Sequence, residues 1–201
     1  MNKRKLAVFD LDGTLFDTGR VNFEAYKEAV EKYGRQINID NKFFSKYCNG
    51  NSCYEFLPCI MPDVTKEQIQ CIHEYKKQIY QKYLGAAIKN EHLFWMIPLI
   101  RQKYQTAIAT TASRKNAEEL LNYFGVMEWF DFIIAQEDVK ETKPSPECFL
   151  LAMKQAEASC KDTIIFEDSK PGLIAAKASG ANYMQIYWQH EILADSLLES
   201  W

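Results

Sequence analysis

Asp10 and Asp12 stand in Asp10-Leu11-Asp12-Gly13-Thr14, directly after the apolar run Leu6-Ala7-Val8-Phe9. A buried strand is therefore expected to deliver two acids into a glycine-bearing loop. Comparable signals lie downstream: Thr111 after Thr106 to Ala109, Lys143 before Pro144-Ser145-Pro146, and Glu167-Asp168 after Thr163 to Phe166. Taken together they suit phosphoryl transfer. A hard cation such as Mg²⁺ takes one or two carboxylates along with water and substrate phosphate, which Asp10 and Asp168 could supply, with Glu167 behind them. A carboxylate can also attack phosphorus, and the acyl phosphate it forms splits one difficult displacement into two easier ones. Asp10 is the candidate nucleophile. Asp12, two residues on, could protonate the leaving oxygen and later take a proton from water. Thr111, Lys143 and the loop N–H groups could hold the phosphoryl oxygens. Each signal alone has a plainer reading: the acidic loop as a calcium-like turn, Thr110, Thr111 and Ser113 as helix caps, Lys143 as a surface lysine.

These residues need a frame, and the chain offers one. Apolar runs at 6–9, 106–109, 132–135, 163–166 and 183–187 are each followed by polar residues. Between them lie helical patterns: 117–124 stopped by Gly125, 146–158 opened by Pro146, and 171–179 opened by Pro171 and stopped by Gly180. Strands alternating with helices imply a parallel sheet covered on both faces, with a site beyond the carboxyl ends of its strands. The stretch from Phe16 to Ala87 breaks the alternation and reads as successive helices with no strand. Tyr26, Ala29, Val30 and Tyr33 mark one, stopped by Gly34, and Phe43, Phe44 and Tyr47 mark a second. Thr65-Lys66-Glu67-Gln68 has the form of a capping box opening a third, with Ile69, Ile72, Ile79 and Tyr83 on one stripe before Gly85. Aromatic residues Phe43, Phe44, Tyr47, Tyr54 and Phe56 are expected in the core of this insertion.

Composition narrows the classes of function. With 201 residues, 47% hydrophobic and 25% charged, the chain has the composition of a folded domain with a modest insertion. A net charge of -3 gives no general attraction to polyanions, so nucleic acid is not an expected partner. No apolar run approaches the roughly 18 to 20 residues of a membrane span, and the protein is expected to be cytoplasmic. Cysteines at 48, 53, 59, 71, 148 and 160 form no Cys-x-x-Cys pair and read as structural thiols. His73, His92 and His190 are scattered and read as no ligand set.

The segment from Asp10 to Thr18 resembles the first motif of the haloacid dehalogenase superfamily, and the other motifs follow in its order. Thr111 matches the second motif, Lys143 in Thr142-Lys143-Pro144-Ser145-Pro146 the third, and Glu167-Asp168-Ser169-Lys170-Pro171-Gly172 the fourth. The resemblance continues through Gly180. It implies an α/β, Rossmann-like parallel core formed by residues 1–15 and 88–201. Residues 16–87 would be an inserted α-helical cap, similar to that of the phosphoglycolate phosphatase and beta-phosphoglucomutase branch. Such caps close over the site and select the substrate. The implied catalytic residues are Asp10, Asp12, Thr111 and Lys143, and the implied Mg²⁺ set is Asp10, Asp12, Glu167 and Asp168. Substrate would be held by Thr111, Ala112 and Lys143 and by the cap loop at Gly50, Asn51 and Ser52. That loop reads equally as a helix break with Ser52 as N-cap.

The implied activity is phosphatase action on a small phosphorylated metabolite, by a monomer. Two alternatives stay open. A phosphosugar mutase of the beta-phosphoglucomutase type shares every core residue, but such enzymes tend to carry valine at Thr14 and Gly-x-Ser-Arg where this chain has Gly50-Asn51-Ser52-Cys53. A non-catalytic binding protein of the same fold would have no need to keep the acids and the lysine. A dehalogenase attacks carbon and does not need Asp12. The family's usual Pro-Gly before the first core helix after the cap is read as replaced by Ile97-Pro98-Leu99.

Overall fold

The computed structural model describes residues 5–33, 40, 43–44 and 52–188. The chain divides into two compact units, 1–16 with 89–201, and 17–88.

The first unit is built on strand β1 (Lys5–Phe9), whose Leu6, Ala7, Val8 and Phe9 are wholly buried. A near-continuous apolar run is what a parallel strand covered on both faces requires. The chain then forms β2 (Phe16–Asp17), and in the second unit α1 (Gly19–Lys32), α2 (Cys53–Ile60) and α3 (Lys66–Ile79). It returns through β3 (Ile88–Lys89), α4 (Glu91–Ile100), β4 (Tyr104–Ala109), α5 (Arg114–Tyr123), β5 (Phe132–Ile134), α6 (Glu147–Gln155), β6 (Thr163–Glu167), α7 (Lys170–Ala178) and β7 (Asn182–Gln185). The main sheet runs β5-β4-β1-β6-β7 with every pairing parallel. β1 is its centre, with Phe9 beside Ile108 on one flank and Phe166 on the other.

On one face Leu6, Val8, Ala107 and Ile165 pack with Phe149 and Ala152 of α6 and with Ala175 and Ala176 of α7. The alternate residue Phe9 stacks on Phe166 at 4.6 Å and meets Phe130 edge-on at 5.9 Å. This is a Rossmann-like α/β core with a helical insertion. No helix among the described residues is long and apolar enough to cross a membrane.

The unit 17–88 has its own apolar cluster, in which Tyr26, Ala29 and Val30 of α1 meet Phe44, Phe56, Leu57, Ile69 and Ile72. The expected capping box at α3 is present: Thr65 Oγ1 accepts from Gln68 N–H at 3.3 Å and Gln68 Oε1 from Thr65 N–H at 3.0 Å. Phe43 and Tyr54, expected in this core, are exposed, and Gly34 and Tyr47 lie outside the described residues. Among the described cysteines, Cys53 and Cys148 are buried, whereas Cys59, Cys71 and Cys160 are exposed free thiols.

Three boundaries differ from the sequence reading. Phe16–Asp17 pairs with Ile88–Lys89 as a two-stranded sheet where no strand was expected, because two-residue strands are too short to show periodicity. The α-helix stops at Ile79, and Tyr80–Ala86 is a 3₁₀ helix, so the buried residues there are Tyr80 and Leu84 in place of Ile79 and Tyr83. The change from 3.6 to 3 residues per turn moves the stripe. Ile97-Pro98-Leu99 lies inside α4, not before it, and the residue that opens this helix is Asn90.

Candidate active site

Asp10 is the first residue after β1, and its N–H bonds Phe166 O at 2.9 Å, continuing the ladder to β6 by one step. Its buried carboxylate meets the ammonium of Lys143, with Nζ 2.5 Å from Asp10 Oδ1. Lys143 Nζ also donates to Glu167 Oε2 at 2.6 Å and to Ala109 O at the end of β4 at 3.0 Å. An ammonium has three donors, and three acceptors meet them. The loop that presents the lysine is closed by Glu147 in the first turn of α6, whose carboxylate accepts from Lys140 N–H at 3.1 Å and Glu141 N–H at 2.9 Å. Sequence reasoning passed over Glu147, because it resembles any acidic first-turn residue.

Glu167 ends β6. Its Oε1 accepts from the N–H groups of Asp168 and Ser169 and from Ser169 Oγ, at 3.2, 3.0 and 2.8 Å. Ser169 in turn caps α7, accepting Gly172 N–H at 3.1 Å. Asp168 accepts the hydroxyl of the buried Thr14 at 2.7 Å. The sequence sets Thr14 against the valine of the mutases without assigning it a contact, and its hydrogen bond to Asp168 gives it a positioning part.

Two glycines make room for these acids. A Cβ on Gly13, whose φ is +92°, would lie 2.2 Å from Asp168 Oδ2, and one on Gly172 would lie 2.0 Å from Glu167 Cδ. At Gly13 only glycine permits both the turn and the approach, and at Gly172, within α7, it permits the approach.

The electrostatics follow from crowding. Burial raises the Asp10 carboxyl well above its ordinary range, Glu167 adds to the rise, and Lys143 opposes it. Burial works against the charge of Lys143, but Asp10 and Glu167 outweigh it and hold the lysine cationic. Asp168 is pushed up to about 6, chiefly by burial, with the Thr14 bond opposing and Glu167 adding. One oxygen from each of Asp10, Glu167 and Asp168 can be chosen so that all lie within 4.8 Å of one another. Two buried carboxylates paired with one lysine, and the half-buried Asp168 beside them, leave an excess of negative charge, and an all-oxygen donor set is what a hard divalent cation takes. The residues fit Mg²⁺. Glu167 already accepts hydrogen bonds at both oxygens, so Asp10 and Asp168 are the better direct ligands.

The remaining candidates are placed as follows. Asp12 is half-buried and forms an isolated bridge with Phe16. Thr111 is exposed, two residues beyond β4. Ala112 N–H bonds Thr110 Oγ1 at 3.0 Å, and Ser113 caps α5 by accepting Asn116 N–H at 3.4 Å. Ser52 caps α2: its Oγ accepts Tyr54 N–H at 3.3 Å, while Glu55 accepts Ser52 N–H at 3.0 Å. Gly50 and Asn51 lie outside the described residues. A groove of about 440 Å³ beside β5, lined by Arg114, Phe130, Asp131, Ile133, Asp138 and Leu151, contains none of the clustered acids. The chemistry lies in the cluster.

A parallel sheet whose central strand ends in a lysine-paired aspartate, with two more acids on the neighbouring strand, defines a class of hydrolase-type enzymes. The chain belongs to the haloacid dehalogenase-like hydrolase family, whose model matches residues 7–186. It is similar to a phosphorylated carbohydrates phosphatase of Thermotoga maritima, with 30% identity over 179 residues, covering 86% of this chain and 80% of the relative. It also resembles the fructose-1-phosphate phosphatase YqaB of Escherichia coli, with 25% identity, covering 89% of this chain and 94% of the relative. Among solved structures, CbbY from Rhodobacter sphaeroides in complex with phosphate superposes with a TM-score of 0.78 at 26% identity, covering 92% of this chain and 87% of that one. The fold, with its helical cap, is that of the phosphoglycolate phosphatase and beta-phosphoglucomutase-like branch.

Proposed function

We propose that the chain is a Mg²⁺-dependent phosphatase of small phosphorylated metabolites, working through a phosphoaspartate on Asp10. The observation that carries this reading is the buried chain Asp10–Lys143–Glu167, with Asp168 beside it. Asp10 attacks phosphorus while the bond to the leaving oxygen breaks, and Asp12 gives that oxygen a proton. Water then attacks the acyl phosphate, Asp12 takes a proton from it, and Asp10 is regenerated as phosphate leaves. Lys143 holds Asp10 oriented and offsets the charge of the incoming phosphate, and Thr111 donates to a phosphoryl oxygen. Glu167 orients Lys143 and the turn into α7. Mg²⁺, when bound, supplies the positive charge that lets a carboxylate and a phosphate approach.

The Thermotoga and Escherichia relatives, a phosphorylated carbohydrates phosphatase and a fructose-1-phosphate phosphatase, support a sugar phosphate as the substrate class. The Thr14 hydroxyl on Asp168 favours hydrolysis over the mutase alternative, whose enzymes tend to carry valine there. The test is hydrolysis of para-nitrophenyl phosphate with and without Mg²⁺, followed by a panel of phosphorylated metabolites. Full activity in excess EDTA would overturn the reading. Asp10→Asn should abolish turnover and covalent labelling together. Asp12→Asn should lower hydrolysis by about 10²- to 10⁴-fold and accumulate phosphoaspartate from acetyl phosphate, visible by mass spectrometry on the peptide containing Asp10.

A further inference from the structure

Three successive carbonyls of the turn that follows Asp12 each accept a hydrogen bond from outside the turn. Gly13 O takes the indole N–H of Trp188 at 2.6 Å. Thr14 O takes Asn90 Nδ2 at 3.1 Å. Leu15 O takes the backbone N–H of Asn90 at 2.9 Å. Inside the turn, Gly13 N–H bonds Phe16 O at 2.7 Å, and the N–H groups of Leu15 and Phe16 both reach Leu11 O at 3.0 Å. The internal bonds thus use the carbonyls of Leu11 and Phe16, and those of Gly13, Thr14 and Leu15 are taken up by Asn90 and Trp188.

Asn90 has two jobs that chemistry can separate. Its Oδ1 caps α4, accepting Leu93 N–H at 3.3 Å, while its Nδ2 reaches the turn. A serine caps a helix about as well as asparagine, but its hydroxyl is too short to do both. Trp188 stands just past β7, and a phenylalanine there keeps an aromatic ring but removes the N–H. Both residues are remote in sequence from Asp12, and their contacts with the turn are to backbone oxygens.

We propose that Asn90 and Trp188 are positioning residues for Asp12. This rests on the acid role assigned to Asp12 above. Asp10 is fixed independently, by its N–H on Phe166 O and by Lys143 on its carboxylate. Releasing the carbonyls of residues 13–15 therefore loosens Asp12 while leaving the nucleophile in place. Proton transfer needs the acid within hydrogen-bond reach of the leaving oxygen, and a misplacement of about 1 Å can cost up to roughly 10²-fold.

The test compares kcat/KM for two aryl esters, phenyl phosphate and para-nitrophenyl phosphate, whose leaving groups differ in their need for a proton. Asn90→Ser and Trp188→Phe should each lower kcat/KM for phenyl phosphate about tenfold, and for para-nitrophenyl phosphate less than about threefold. In an Asp12→Asn background neither change should cost more than about a further twofold, since both act through the removed acid. Equal losses on the two esters, no loss on either, or an undiminished loss in the Asp12→Asn background would each overturn the proposal. If Asn90→Ser does not fold, Trp188→Phe decides alone. A failure of the underlying reading is visible separately: Asp12→Asn by itself would then lower the two esters equally, and the proposal would go with it.

Discussion

Lys143 shows how little freedom the cluster leaves. Its three N–H donors meet Asp10, Ala109 and Glu167, and both oxygens of Glu167 are themselves engaged. Residues that touch none of the reacting groups are therefore constrained by those that do. Gly172→Ala would put a methyl group 2.0 Å from the carboxyl carbon of Glu167, so Glu167 must move and release Lys143 or Ser169. Overpacking of this kind costs about 1 to 3 kcal/mol, and a lowered urea midpoint with reduced turnover is the expected result. An unchanged midpoint would show that α7 shifts at no cost. Thr14→Val keeps the shape of Thr14 and removes the hydroxyl that Asp168 accepts at 2.7 Å. Groups that orient a metal ligand typically contribute about 10- to 100-fold in metal affinity or activity, so the Mg²⁺ concentration for half-maximal activity should rise about tenfold. An unchanged Mg²⁺ requirement would remove Thr14 from the site.

At the scale of elements, α1 and α3 are joined by a partly buried polar contact. The Tyr26 hydroxyl and His73 Nδ1 share a hydrogen bond of 2.7 Å, in a layer that also holds Lys76 over the Tyr26 and Tyr80 rings. Burial, with the charges of Lys77 and Lys76, pushes His73 down to about 4. Its unfolded value is about 6.5, so the unfolded chain binds the proton more tightly. The stabilisation is complete above about pH 6.5 and is lost as pH falls toward 4, by about 1 to 2 kcal/mol once partial exposure is discounted. Urea midpoints between pH 4 and 7 should show this slope, and His73→Gln should flatten it; an unaltered slope would assign it to other groups. Elements of this kind differ in how openly the sequence carries them. β1 was legible because a strand buried on both faces must be apolar throughout, and Thr65 was legible because a capping box is local. Asp10, Lys143 and Glu167 were legible as strand-end signals in order, and their convergence is what a parallel sheet produces. Asn90 was missed and Ile97-Pro98-Leu99 misplaced, because proline was read as a boundary although Pro98 is accommodated within α4. Trp188 carries no local signal at all: its role depends on a carbonyl 175 residues away.

At the scale of the molecule, the candidate ligands Asp10 and Asp168 come from adjacent strands of the first unit and are far apart in sequence. An unfolded chain cannot hold them together, so Mg²⁺ should bind the native state and little else, and binding becomes stability. At a hundred times its dissociation constant a ligand contributes about 2.7 kcal/mol, which for a chain of this size corresponds to a melting temperature higher by about 5 to 10 °C. The same geometry makes the metal-free protein carry a cost. Asp168 is pushed up to about 6 chiefly by burial, so above that pH folding holds a charge that would be better solvated in the unfolded chain. Asp168→Asn removes that charge and keeps an oxygen that can accept from Thr14. It should therefore melt at a higher temperature than the wild type in EDTA at pH 7.5, yet show little or no further rise with Mg²⁺. The two effects have opposite signs, so loss of fold cannot imitate them. Differential scanning fluorimetry with and without Mg²⁺ measures both without any assay of activity. A full Mg²⁺ shift in Asp168→Asn would remove Asp168 from the metal site, and a lower melting temperature in EDTA would mean that its charge stabilises the apo cluster.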